Sequence, residues 1–154
     1  MTTVWRIVKK NQAGEAFSGK GARLFGGRWN LRGAAVVYTA DTLSLAALEY
    51  FVHLGPAMAG VELVSFRAEI PKRVTIEELA VATLPAGWRE EPPPTFTRQL
   101  GSDWAAGGTT AVLRVPSALI PAEHNFILNP EHPDFSKIKI TGPDTFRFDS
   151  RMWK

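Results

Sequence analysis

One carboxylate stands inside a largely apolar stretch of the chain. Glu49 follows Leu48 and precedes Tyr50, Phe51 and Val52, within a run whose apolar spacing predicts a helix. A carboxylate on such a surface is unfavourable without a partner, so Glu49 is a candidate for a shifted pKa or for binding a cation or a hydroxyl group. The pattern also allows a glutamate at the edge of the apolar stripe, with its carboxylate in water.

A glycine-rich turn supplies a second chemically useful group. Gly26-Gly27-Arg28-Trp29-Asn30 brings an arginine and an aromatic ring onto an exposed turn. An arginine fork binds phosphate through two hydrogen bonds, and backbone amides freed by glycine add further donors. The other interpretation is a surface turn with a partly buried tryptophan. Neither GxGxxG nor GxxxxGK[ST] occurs in the chain, so a doubly wound dinucleotide fold and a P-loop have no support.

Three other residue types have candidate roles. Tyr38 ends an apolar strand, and its ring belongs either to the core or to a stacking platform for a flat ligand. Ser117 follows another strand and, taken alone, would be a cap or turn residue. The three histidines at positions 53, 124 and 132 lack metal-ligand spacing, so we expect no metal site and assign them to structure or solvent.

Hydrophobic periodicity predicts the elements that must position these groups. A loop with six glycines is predicted over Gly14–Gly33, and Asp41 or Thr42 caps a helix that Gly55-Pro56 stops. Helices are predicted over Leu43–Leu54, Thr75–Ala80 and Thr95–Ala106, and strands over Val4–Val8, Ala34–Ala40, Glu62–Ile70, Thr110–Val115, Phe126–Leu128, Lys137–Ile140 and Phe146–Phe148. Strands outnumber helices without regular βαβ alternation, which predicts a single α+β domain over residues 1–154 with a mostly antiparallel sheet.

The amino-acid composition excludes some kinds of site and favours some classes of ligand. The 154 residues include no cysteine, which excludes disulfides, thiolate metal sites and thiol nucleophiles. No stretch has the length of a signal peptide core or a membrane span, and we expect a cytoplasmic protein. The net charge of +3 suits an anionic ligand or an acidic partner. A nucleic-acid-binding module is the weaker alternative, because the charges form no stripe interleaved with aromatic residues.

Taken in order, the motifs strongly resemble the RES domain. The likeness runs from Trp5 to Pro133, although residues 71–109 carry little of it, and extends more loosely to the segment 146–151. The family is named for an arginine, a glutamate and a serine, which correspond here to Arg28, Glu49 and Ser117. The motifs that carry the likeness are Trp5-Arg6-Ile7, Gly26-Gly27-Arg28-Trp29-Asn30, Val36-Val37-Tyr38-Thr39-Ala40, Leu45-Ala46-Ala47-Leu48-Glu49 with His53, Val115-Pro116-Ser117-Ala118, and Asn125 with Asn129-Pro130-Glu131-His132-Pro133.

The resemblance implies a toxin that acts on NAD. RES proteins are paired with Xre-type antitoxins, and a partner of this kind is expected to block the active cleft. The fold of the family is similar to that of ADP-ribosyltransferases, and its members cleave the nicotinamide–ribose bond of NAD by hydrolysis or phosphorolysis or transfer ADP-ribose to a protein. NAD would thus be a substrate, inorganic phosphate would be the co-substrate in phosphorolysis, and no prosthetic group, membrane or nucleic acid is expected to bind.

The resemblance also gives the residues their expected roles. Glu49 would stabilise the positive charge that develops on the ribose. Arg28 would hold the phosphates, with Arg6 as a second clamp, and Tyr38 would stack on the nicotinamide ring. Ser117 would bind ribose or phosphate through a hydrogen bond.

The acceptor of the ADP-ribosyl group stays open between water, phosphate and a protein. Asn125 could orient the acceptor, and a phosphate acceptor would favour Arg23 and Arg32 of the basic loop. This interpretation requires the Glu49 carboxylate and the Arg28 guanidinium to line one pocket.

Overall fold

The computed structural model describes residues 1–55 and 60–153. Within them, seven strands form one sheet, which is accompanied by three α-helices. In chain order the elements are β1 Thr2–Lys9, α1 Lys20–Phe25, β2 Val37–Ala40, α2 Leu43–Val52, β3 Leu63–Ile70, β4 Ile76–Glu78, α3 Thr95–Gly107, β5 Val112–Pro116, β6 His124–Leu128 and β7 Lys139–Phe146. Short 3₁₀ helices span Lys10–Glu15, Val81–Thr83, Pro133–Lys137 and Ser150–Trp153. No helix in these ranges has the length and apolar character needed to cross a membrane.

The sheet is mixed and almost entirely antiparallel. Its strand order is β4-β5-β6-β2-β1-β3-β7. Each neighbouring pair runs antiparallel except β4 and β5, which are parallel. The predicted α+β class with a mostly antiparallel sheet is therefore confirmed.

The sheet is nearly split between β1 and β2. β1 pairs with β3 over its whole length, from Thr2 opposite Ile70 to Lys9 opposite Leu63. Against β2, however, it has a single register pair, Trp5 opposite Ala40. The two strands diverge beyond this point, and the opening leaves room for a cleft in the middle of the sheet.

The first long helix lies beside this opening. Its N-cap is Thr42, whose side chain accepts a hydrogen bond from the Leu45 amide at 3.0 Å, in agreement with the predicted cap. Leu45 and Ala46 pack against Ile7 of β1, which fixes the helix over the sheet. The helix ends at Val52, two residues earlier than predicted, and Pro56 of the predicted stop lies outside the described residues.

Other predicted elements were wrong or incomplete. The helix predicted over Thr75–Ala80 is instead strand β4, because pairing with β5 supplies backbone partners that a single helical turn cannot match. The predicted loop Gly14–Gly33 contains α1. The two strands predicted over Lys137–Ile140 and Phe146–Phe148 form one strand, β7, whose partner is β3.

Candidate functional site

A cleft of about 1180 Å³ opens beside the split between β1 and β2. Its wall is built from β1, β2, α2, the turn that follows α1, and the segment 89–98. Glu49 and Arg28 both line it, so the two groups that sequence analysis required to converge do share a pocket. Arg6, Tyr38 and Asn125 line the same cleft.

The Glu49 carboxylate is held by two neutral donors. The Asn125 side-chain amide donates to Glu49 Oε1 at 2.7 Å, and the Ser117 hydroxyl donates to Glu49 Oε2 at 2.8 Å. Burial raises the pKa of Glu49, and the two hydrogen bonds oppose that rise because they favour the charged form. No arginine or lysine pairs with Glu49 among the described ion pairs, so its charge remains available to a cationic centre.

Ser117 lies behind Glu49 and not on the wall of the cleft. The residue is fully buried. Its hydroxyl oxygen accepts hydrogen bonds from the amides of Leu119 and Ile120, each at 3.2 Å, so its only proton is committed to Glu49. The geometry therefore differs from the expected direct contact with ribose or phosphate, and makes Ser117 a positioning residue for the carboxylate.

Asn125 connects the carboxylate to the sheet. It lies on β6, opposite Ala40 of β2. The same side-chain amide that donates to Glu49 also donates to the Thr39 carbonyl at 3.3 Å. The pairing of β2 with β6 thus fixes where the Glu49 carboxylate stands.

Arg6 spans the split in the sheet. Its Nε donates to the Ala16 carbonyl, and its Nη1 donates to the Tyr38 carbonyl of β2 at 2.9 Å. The bond to Tyr38 links β1 to β2 at a point where the two strands form no further register pair. Burial lowers the pKa of Arg6 to about 10, a value at which the guanidinium is still charged at neutral pH. Much of the donor capacity expected for a phosphate clamp is therefore already used in holding the sheet.

Arg28 is anchored by the backbone of a distant segment. Its Nη1 donates to the carbonyls of Trp88 at 2.9 Å and Glu90 at 2.8 Å, and its Nη2 pairs with the Glu91 carboxylate at 3.0 Å. The Arg28 side chain is 15% exposed, whereas that of Glu91 is 70% exposed. Glu91 is accordingly the partner that an incoming anion could most easily replace.

Tyr38 and Asn30 fix the shape of the glycine-rich turn. The Tyr38 hydroxyl donates to Asn30 Oδ1 at 2.6 Å and accepts from the Trp29 amide at 3.0 Å. Burial raises the pKa of Tyr38, so the phenol keeps its proton. A Cβ on Gly27 would stand 2.7 Å from the Tyr38 hydroxyl, which explains the glycine. Tyr38 is thus both a structural anchor and part of the cleft wall.

Helix α3 packs directly on this turn. At Gly101 in its interior, an added Cβ would stand 1.7 Å from the Trp29 carbonyl oxygen. The next residue, Ser102, accepts a hydrogen bond from the Leu31 amide at 2.8 Å. The position of Arg28 consequently depends on α3, although no motif pointed to this helix.

Sequence reasoning missed several residues of the cleft. Arg89, Glu91 and Arg98 all line it, yet they belong to the segment 71–109, which carries little of the family likeness. Glycine inside a predicted helix was the one available signal, because such a glycine often marks close packing. His53, assigned to structure or solvent, also lines the cleft. In contrast, Arg23 and Arg32 are exposed and are not part of its wall.

Comparison with known proteins supports the family resemblance that the motifs indicated. The family described as "RES domain" matches residues 3–149. The chain belongs to the RES-domain family. The resemblance to RES toxins is thereby confirmed.

Several RES relatives are similar over nearly their whole length. The "Prs ADP-ribosylating toxin" of Sphingobium sp. (strain YBL2) is 39% identical, over 98% of this chain and 96% of the relative. "Toxin Res" of Photorhabdus laumondii is 38% identical, over 98% and 97%. "Toxin Res" of Yersinia enterocolitica is 36% identical, over 97% and 98%.

A solved structure has a similar fold. It is a chain in the crystal structure of the M. tuberculosis MbcT–MbcA toxin–antitoxin complex, which superposes with a TM-score of 0.75. The alignment covers 95% of this chain and 84% of that one, at 16% identity. The likeness supports the same fold for both chains.

Replacing Gly101 by alanine tests the packing of α3 on the turn. We expect Gly101→Ala to lower the free energy of unfolding by about 2 kcal/mol or more, because the methyl group overlaps backbone that cannot move alone. The matched control is Gly107→Ala, where the added Cβ meets nothing within 4 Å. This control should change stability by less than about 1 kcal/mol. Urea unfolding measures both, and equal losses in the two variants would contradict the packing argument.

Proposed function

We propose that this RES-domain protein is the toxin of a toxin–antitoxin pair and cleaves the nicotinamide–ribose bond of NAD. The observation that carries the proposal is the half-buried Glu49 carboxylate, held by Ser117 and Asn125 at the wall of a cleft that Arg28 also lines. Relatives at 36% to 39% identity that bear the name toxin support it.

The chemistry needs a fixed negative charge. When the bond between nicotinamide and ribose breaks, its electron pair leaves with nicotinamide and neutralises the pyridinium ring. Positive charge develops on the ribose, and the Glu49 carboxylate would stabilise it in a site partly sheltered from water. Each Glu49 oxygen accepts one hydrogen bond from the protein and retains further capacity, which suits a ribose hydroxyl. Since nicotinamide leaves as a neutral molecule, no strong general acid is required.

Other residues of the cleft would bind the nicotinamide ring and the pyrophosphate of NAD. Tyr38 would offer its ring to nicotinamide, while the hydroxyl stays bound to Asn30. Arg28 would exchange the exposed Glu91 carboxylate for a phosphate oxygen and keep its two carbonyl partners. Arg6 would contribute positive charge to the cleft from its place between β1 and β2.

The acceptor defines two candidate activities. Attack of water or inorganic phosphate on the ribose carbon, with loss of a proton, would deplete NAD. Attack by a protein side chain would make the enzyme a mono-ADP-ribosyltransferase, and the Sphingobium relative named as an ADP-ribosylating toxin favours this second candidate. The two candidates share the bond that breaks and therefore the same carboxylate.

Replacing Glu49 by glutamine tests the proposed cleavage. We expect the native chain to release nicotinamide from NAD, and Glu49→Gln to be slower by at least about a hundredfold, because the swap keeps size and removes charge. Glu62→Gln, at an exposed carboxylate, is the matched control and should retain the native rate. Chromatography of the products, with and without phosphate and with and without cell lysate, separates hydrolysis, phosphorolysis and transfer. A native rate in a folded Glu49→Gln variant would refute the role of Glu49.

The raised pKa of Glu49 predicts an acid limb in the rate of NAD cleavage. The rate should fall as pH drops through that pKa, which lies above the ordinary range of glutamate, because only the charged form stabilises the ribose cation. Ser117→Ala removes a donor to the carboxylate, so the pKa should rise further and the limb should move to higher pH. Ser136→Ala, at an exposed serine, should leave the limb in place. An unmoved limb in Ser117→Ala would argue against the coupling.

We further propose that an Xre-type antitoxin blocks the cleft. The structural neighbour was solved as a toxin–antitoxin complex. Two apolar side chains at the cleft, Phe25 and Val52, are 74% and 52% exposed, which suits coverage by a partner. Adding the purified antitoxin should stop nicotinamide release, and an unchanged rate in the complex would contradict a blocked cleft.

A further inference from the structure

A guanidinium without a partner faces the cleft from α3. Arg98 lies in the first turn of that helix and lines the cleft. Its Nε is the one buried side-chain nitrogen or oxygen that lacks a hydrogen-bond partner in residues 1–55 and 60–153. The ion pairs of those residues do not include Arg98 either. The remainder of Arg98 is half-buried at the cleft, so an anion bound there can accept from guanidinium donors that no described protein acceptor uses.

Two further arginines stand at the same wall. Arg28 and Arg89 line the cleft with Arg98. Arg28 is directed by the Trp88 and Glu90 carbonyls, and Arg89 Nε donates to the Ala118 carbonyl at 2.8 Å. These two guanidiniums are thus anchored to backbone, whereas Arg98 keeps its donors free.

Two further positive charges act on Arg28. Burial lowers the pKa of Arg28, and the charges of Arg98 and Arg89 add to that effect. Like charges of this kind repel unless a counter-ion lies between them. The exposed Glu91 carboxylate neutralises Arg28 only.

We propose that Arg98, together with Arg28 and Arg89, forms a subsite for the phosphate group of a ligand. Phosphate is the anion whose several oxygens can accept from more than one guanidinium at once. The inference deepens the proposed function, on which it rests for the identity of the phosphate. The group is either the pyrophosphate of the dinucleotide or free inorganic phosphate that serves as acceptor. Both present the same oxygens to the subsite.

The proposed subsite consists of other residues than those that the sequence suggested for a phosphate acceptor. Arg23 and Arg32 belong to the basic loop, yet both are exposed and neither lines the cleft. Arg23 therefore provides a control of the same residue type on the outside of the molecule.

Binding of phosphate compounds to Arg98→Met tests the subsite without any reaction. Calorimetric titration of the native chain with ADP-ribose and with inorganic phosphate gives two dissociation constants. We expect Arg98→Met to weaken at least one of them by about tenfold or more, because a charge-assisted contact is lost. Arg98→Lys should be intermediate, and Arg23→Met should bind as the native chain does. Weaker ADP-ribose binding alone identifies the pyrophosphate, and weaker phosphate binding alone identifies the acceptor.

Stability separates a binding role from a structural one. Methionine keeps an unbranched apolar stem and removes a charged group whose buried Nε lacks a partner, so the midpoint of thermal unfolding should be unchanged or higher in Arg98→Met. Unaltered affinity for both probes in Arg98→Met would overturn the subsite, as would failure of the native chain to bind either probe.

The measurement is also independent of the proposed reaction. A native chain that binds these probes through Arg98 but releases no nicotinamide from NAD would retain the subsite and lose the proposed function. A native chain that cleaves NAD while Arg98→Met binds both probes normally would retain the function and lose the subsite.

Discussion

The gap between β1 and β2 is the constraint on which the site depends. A sheet that paired fully at this position would leave no room for a ligand between its strands. The single register pair at Trp5 and Ala40 opens the cleft, and Arg6 then stabilises the opening by donating to the Tyr38 carbonyl. The Arg6 guanidinium therefore gives a β2 carbonyl the hydrogen-bond donor that a neighbouring strand supplies elsewhere in the sheet. It also adds positive charge to the cleft.

From this opening, the cleft divides into two kinds of surface. On one side two neutral donors hold the Glu49 carboxylate, and none of the ion pairs of the described residues includes it. On another side lie Arg28, Arg89 and Arg98, and the exposed Glu91 carboxylate forms an ion pair with Arg28. A ligand in which one ribose separates a cationic ring from a pyrophosphate would complement both surfaces. NAD has this distribution of charge.

Local signals predicted the central elements, and the family resemblance named five residues that line the cleft, Arg6, Arg28, Tyr38, Glu49 and Asn125. β1, β3 and the capped helix α2 could be predicted from the sequence, because their apolar residues recur with the spacing of a strand or a helix. β4 could not, since three residues carry no period of their own and become a strand only through pairing with β5. The place of Ser117 behind Glu49 and the anchoring of Arg28 by the segment 88–91 are likewise long-range, and nothing in residue spacing encodes them.

Glu49 receives its two hydrogen bonds from residues 68 and 76 positions further along the chain. During synthesis the helix that bears this carboxylate leaves the ribosome well before the strand that carries Asn125. A nascent chain therefore holds an unsupported acidic side chain, and the assembled centre can exist only once β6 has docked onto β2. The order of elements along the polypeptide thus delays assembly of the surroundings of this carboxylate until β6 has been synthesised.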